Sequence, residues 1–208
     1  MKLFDREKFY CVVLSFVLMT SLIVLTASEG FAAAAAVQNE CLRLHVLANS
    51  DSDADQAVKL IVRDALLEKT GDAFSVCASA DEAADYVIAN KESLEALAEN
   101  VLSENGFDYK AQIYVETEYF STRQYDDVTL PAGSYNAVRV ILGEGEGHNW
   151  WCVMFPPLCL PAVTKNTDDS VYSVFGENGG DLVTGKSGYK IKFRIVEIVE
   201  EIIEAIKS

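Results

Sequence analysis

Apolar and polar residues alternate, recur or run together along this chain in patterns that predict its elements. The first is an unbroken apolar run over residues 9–27 with no charge in it. Leu42, Leu44, Val46 and Leu47 then alternate with Arg43 and His45, the period of a first strand over residues 41–47. After Asn49-Ser50-Asp51-Ser52-Asp53, the residues Val58, Ile61, Val62, Ala65 and Leu66 recur at helical spacing. Ser52 is placed to cap that helix, Asp53 and Asp55 favour its positive end, and Gly71 is read as its stop. Ser79 and Glu82 stand at capping-box spacing and open a second helix. Asn90 or Ser93 breaks or re-caps it before Leu94, Leu97, Ala98, Val101 and Leu102, and Gly106 is its left-handed stop.

The following pattern turns to period two. Residues 107–120 form a long amphipathic strand, Leu130-Pro131-Ala132-Gly133 a turn, and residues 135–142 the returning strand. These predict an antiparallel pair with a wide connection. Gly143-Glu144-Gly145-Glu146-Gly147 reads as a flexible link that lets the backbone approach Trp150 closely. Residues 150–155 form a third strand of the same sheet, ending in the Pro156-Pro157 bend. Residues 161–186 carry few apolar positions and read as the least ordered part. Finally Ile191, Ile195, Ile198, Val199, Ile202, Ile203 and Ile206 recur at three and four. They predict an amphipathic C-terminal helix packed on the sheet, entered through a short strand near residues 189–193. The expected fold is α+β, a single domain with an antiparallel-rich mixed sheet and helices on one face. Strand order does not follow from the pattern.

The ends of the first apolar run change the picture of the chain's organisation. Lys2, Arg6 and Lys8 precede it, and the alanines Ala32 to Ala36 follow. A basic head, an apolar segment and small residues at A-x-A spacing predict export. Ala32/Ala34, Ala33/Ala35 and Ala34/Ala36 all meet the small-residue rule, so the cut is not fixed. The run is also long enough to stay as an anchor. Residues 1–36 are therefore a signal peptide or membrane anchor, and residues 37–208 the exported domain. Beyond that segment no membrane contact is expected.

Charge narrows the partners. The leader carries three basic and three acidic residues, so the whole formal charge of −15 belongs to the exported part. Such a body is repelled by nucleic acid and anionic lipid, which leaves a protein partner or a cationic ligand.

Candidate chemistry is sparse. Cys41, Cys77, Cys152 and Cys159 remain beyond the leader's Cys11, and three pairings are formally open in an exported chain. Cys152 and Cys159 are the natural pair, since they enclose only Val153 to Leu158. Such a closure contributes about 2–3 kcal/mol by the loop-entropy model. The acidic run at 51–55 invites a calcium reading, but Gln56 and Val62 stand where an EF-hand needs Gly and a bidentate Glu. It reads instead as helix capping. His148, Cys152 and Cys159 would make three zinc ligands without a fourth. His45 and His148, the two histidines, could serve a thiol enzyme with Cys152 or a hydrolase with nearby carboxylates. No nucleophile elbow, zincin helix or nucleotide loop is present. No cofactor is implied.

Trp150, Trp151, Phe155, Pro156, Pro157 and Leu158 concentrate the chain's tryptophans beside a Pro-Pro pair. Rigid aromatic area of this kind anchors interfaces at low entropic cost, and it also makes good core. At strand spacing one tryptophan faces inward and the other outward. The loop Phe155-Pro156-Pro157-Leu158, held at its base by Cys152 and Cys159, is the expected partner contact.

Three blocks carry a resemblance. The first is Arg43 to Ser52 with Asp55-Gln56 and residues 59–65; the second, Tyr125, residues 130–135 and Arg139-Val140; the third, residues 145–153 with Phe155-Pro156-Pro157-Leu158-Cys159. In this order, with Lys190-Ile191-Lys192-Phe193 and the helix after it, they resemble the stage II sporulation protein R family. That resemblance implies a protein made in the forespore and exported into the space between forespore and mother cell. It implies a membrane-embedded aspartic protease as partner, triggered to cleave the sigma-E precursor in the mother cell. It also implies that the protein is not itself a protease, in line with the missing catalytic motifs, and no enzyme is expected.

Overall fold

The computed structural model describes residues 3–125, 128–157 and 167–185. The expected C-terminal helix and the strand before it lie outside these residues.

The strand β1 (Leu42–Leu47) is the hub, because almost every side chain along it is buried. Its neighbours are β5 (Gly133–Leu142), which runs parallel to it, and β6 (Asn149–Phe155), which runs antiparallel. Beyond β5 lies β2 (Ala111–Phe120), giving the order β2-β5-β1-β6. The pairing of β2 with β5 runs without a slip from Ala111 opposite Leu142 to Phe120 opposite Gly133. Their connection contains a small hairpin, β3 (Arg123–Tyr125) with β4 (Val128–Leu130), in place of a simple wide link. The strand at 107–120 begins only at Ala111. Phe107 and Tyr109 pack against one another and against the main core before it.

Leu42, Leu44 and Val46 point to one side of the sheet. There they meet α2 (Asp53–Phe74), α3 (Ala80–Ala89) and α4 (Lys91–Glu104). Ser52 Oγ accepts from the Asp55 amide at the start of α2, as capping requires. The helix does not stop at Gly71 but continues to Phe74. Phe74 is buried against Tyr86 and Phe155, and that burial outweighs the cost of about 1 kcal/mol for an interior glycine. Ser79 Oγ accepts from the Glu82 amide, while the Glu82 carboxylate accepts from the Ala78 amide one residue ahead of the cap. Asn90 divides α3 from α4, and Gly106 ends α4 with φ of 85°.

The expected single helical layer is only half of the architecture. A second core lies on the opposite face of the sheet, under Ala137, Tyr135 and Val153. The end of a long helix α1 (Leu3–Asn39) supplies Ala33, Ala34 and Val37 to it. A further helical segment, α5 (Thr167–Val183), broken by a kink at Gly176, supplies Phe175, Leu182 and Val183. The stretch read as least ordered thus carries an element. Its few apolar side chains suffice because Gly179 lets it lie close to α1, where an added Cβ would stand 3.3 Å from Val37 Cγ2.

Candidate interaction surface

Strand order builds the surface. Since β1 lies between β5 and β6, the segment joining those two must pass over the end of β1. It therefore meets the segment by which β1 leaves for α2. The Gly147 amide donates to Ala48 O at 2.9 Å, and the Glu144 amide to Asn49 Oδ1 at 3.0 Å. The His148 amide donates to Asp51 Oδ1 at 2.6 Å, and the His148 ring nitrogen Nδ1 contacts the same oxygen. From α2, Lys59 Nζ donates to His148 O at 2.7 Å and to Gln56 Oε1 at 2.6 Å. Gly143 and Gly145 adopt φ of 58° and 67°, which other residues rarely do. The glycine run is thus a built loop resting on residues 48–51, not a flexible link beside Trp150.

A buried carboxylate sits under this junction. Asp55 Oδ2 accepts from Ser50 Oγ at 2.5 Å and Asn49 Nδ2 at 3.0 Å, and its Oδ1 from the Tyr109 hydroxyl at 2.8 Å. Burial pushes the Asp55 pKa up, but donation from Ser50, Asn49, Tyr109 and Ser52 outweighs it and holds the carboxyl below its ordinary range. The Tyr109 phenol is correspondingly raised, first by burial and then by its bond to that carboxylate. Lys59, also buried, has its ammonium pKa lowered by burial, against the attraction of Asp51. Asp51 is lowered chiefly by the His148 side-chain bond. Among the described residues no group of His, Cys, Asp and Glu could hold a metal ion.

His148, Asp51 and Trp150 face solvent here, beside the exposed Glu144, Glu146 and Asn149. Trp150 is 37 % exposed, with the Arg63 guanidinium 4.5 Å from its ring centroid. Trp151 lies on the other face, half-buried, stacked on His45 at 3.7 Å and edge-on to Phe120. Phe155 and Pro156 are buried, so neither offers the contact expected of it. The cause is a register shift in the β1–β6 pairing. Val153 is opposite Arg43 and Phe155 opposite Leu42, which leaves Met154 as an extra residue. Met154 and Phe155 consequently both enter the main core. Pro157 is half-buried; Leu158 and Cys159 lie outside the described residues.

A family model for stage II sporulation protein R matches residues 38–165. This chain belongs to the stage II sporulation protein R family. A curated relative, stage II sporulation protein R of Bacillus subtilis (strain 168), is 30% identical over 185 residues, covering 80% of this chain and 83% of its own. No solved structure matches. Family membership gives the chain a role in sporulation.

The described parts of the three blocks that carry the family resemblance converge in space. The first and third are the two interlocked loops. The second meets Arg43, which is wholly buried. Arg43 Nε donates to Cys152 O at 3.1 Å and Nη2 to the Tyr125 hydroxyl at 2.7 Å, with its carbon 4.2 Å from the Phe120 centroid. Tyr135 lies beside it and donates to Pro131 O at 2.6 Å. His45 Nδ1 lies 2.9 Å from Glu118, whose carboxylate also faces Arg139 at 3.6 Å. His45 Nε2 is enclosed and has no hydrogen-bond partner among the described residues. Among the described residues neither histidine bonds a serine hydroxyl or a thiol. Sequence reading missed Glu118, Tyr109 and Lys59 as members of these clusters. Lys59 and Asp55 carried a trace of it, as charges on the side of α2 that the helical period assigns to the core.

Proposed function

We propose that this protein is an exported forespore signal, recognised by a membrane-embedded aspartic protease that then processes the sigma-E precursor in the mother cell. Family membership supports the sporulation role, and the −15 charge fits a protein partner rather than nucleic acid. The observation that carries the reading is the interlock of residues 48–52 with 143–148. Two separate family blocks hold each other rigid and turn His148, Asp51 and Trp150 outward. A pre-ordered surface loses little entropy on binding. It can favour an active protease state only through a difference in affinity for that state. Catalysis belongs to the protease; this domain supplies recognition.

A Cys152–Cys159 bridge is part of the same proposal. Cys11, Cys41 and Cys77 are free thiols, and the short spacing from Cys152 to Cys159 supports their pairing.

The test is reconstituted precursor cleavage with the protease, with and without the purified full chain. Trp150→Ala and His148→Ala should each lower stimulated cleavage about tenfold or more, the loss expected of an interface hot residue. Their unfolding midpoints should fall by no more than about 4 °C. Undiminished cleavage in both variants would remove this surface from the mechanism. Turnover of cell-wall material by the chain alone would replace signalling with hydrolysis.

A further inference from the structure

Two of the alanines that read as an export cleavage site, Ala33 and Ala34, are core residues of the folded domain. The helix α1 runs unbroken for 37 residues, roughly 55 Å at 1.5 Å per residue. Its two halves differ sharply. In the first, Leu14, Phe16, Leu18, Met19 and Val24 are 57–65 % exposed and point to every side of the helix. In the second, Ala33, Ala34 and Val37 are 0–3 % exposed, packed with Tyr135, Ala137, Phe175 and Leu182. Gln38 Nε2 donates to Ala132 O, and a Cβ on Gly133 would stand 2.1 Å from that same nitrogen.

Each of the three A-x-A pairs contains Ala33 or Ala34. Each cut would fall inside the helix, before its end at Asn39. A protease needs its substrate locally opened and extended, and here opening means stripping side chains from a packed core. Cutting ahead of folding would leave a domain without Ala33 and Ala34, its second core incomplete.

We infer that α1 is retained after export, and that its apolar half is covered by bilayer lipid, which holds the domain at the membrane on a rigid helical stalk. A helix apolar on every side has no soluble partner face to bury. Among the described residues no helix is long and apolar enough to cross a membrane. The sequence adds Ile23, Thr26 and Ala27, and with them residues 9–27 are uncharged throughout, about the length of a hydrocarbon core. The inference rests on the export reading. It goes beyond it in denying release.

The full chain with a C-terminal epitope, produced in an exporting bacterial host, tests both separately. The expected product has its intact mass, stays with membranes through an alkaline wash, and is degraded by protease added outside the cell. A soluble exported chain beginning at Ala35, Ala36 or Val37 would overturn retention while leaving export standing. An intact chain in the soluble cytoplasm would overturn both. Independently, Ala34→Leu should lower the thermal midpoint of the full chain by several degrees, while Ala35→Leu, at an exposed position, should not. Equal midpoints would show that the alanines are not packed as core.

Discussion

The backbone of Gly147 rests on the carbonyl of Ser50, where an added Cβ would lie 2.2 Å from the oxygen. Backbone cannot step aside as a flexible side chain can, so Gly147→Ala should cost about 1–3 kcal/mol, the usual scale of overpacking. Gly71 is the contrast, since it lies inside α2 with nothing within 4 Å of the new methyl. Gly71→Ala should stabilise by about 0.5–1 kcal/mol. Urea denaturation of the two variants beside the parent reads both signs.

Asp55 gives the junction a dependence on acid. Its pKa is depressed in the folded protein, so its contribution is complete above the unfolded value near ~3.9. That contribution is lost as pH falls through the lower folded value. Asp55→Asn removes it at every pH. The stability gap between parent and variant should therefore be constant above about pH 5 and close at lower pH. Stability curves of the two proteins from pH 2 to 7 provide the check; a gap that widens toward acid would reverse the assigned sign.

Phe155 and Trp150 should separate folding from recognition. Phe155 is 6 % exposed and meets Phe74 at 6.3 Å, so Phe155→Ala should cost about 3–5 kcal/mol. Trp150→Ala should cost about 1 kcal/mol, the scale of a partly exposed cation–π contact over Arg63. Equilibrium denaturation measures both. A loss of signalling in Phe155→Asp would accordingly report unfolding, whereas a loss in Trp150→Ala would report the surface.

Cys41 should behave as an inert thiol. Burial pushes its pKa up to about 12, against the attraction of Arg43, and thiolate is the reactive species. Under native conditions at pH 8, Cys77 should be alkylated measurably and Cys41 only after unfolding. Mass spectrometry of peptides after timed labelling distinguishes the two; early labelling of Cys41 would contradict the enclosed second core.

Much of this was legible where a local period decides the outcome. The strand at 42–47, the Ser52 and Ser79 caps, and the β2–β5 pair all follow from neighbours in sequence. What was not legible depends on contacts far along the chain. Gly71 looked like a stop because Phe74's partners, Tyr86 and Phe155, cannot be seen from the helix itself. Phe155 looked presentable because a one-residue bulge against Leu42 and Arg43 leaves no local mark. Residues 167–183 looked structureless because their apolar content is low, and close packing through Gly179 compensates for it. Of the aromatic stretch, Trp150 is the large side chain left facing solvent. Its companion loop at 48–52 entered the sequence reading only as a strand end and a cap.

The crossing of the β5–β6 connection over the end of β1 has an evolutionary corollary. Two segments that satisfy each other's backbone groups can tolerate insertions only in concert, since lengthening one strands amides on the other. The corner at Asn90, joining two helices at the periphery, carries no such obligation. Length variation among relatives should therefore gather at that corner, and the end of the sheet where the two loops cross should keep its residue count even where its side chains drift.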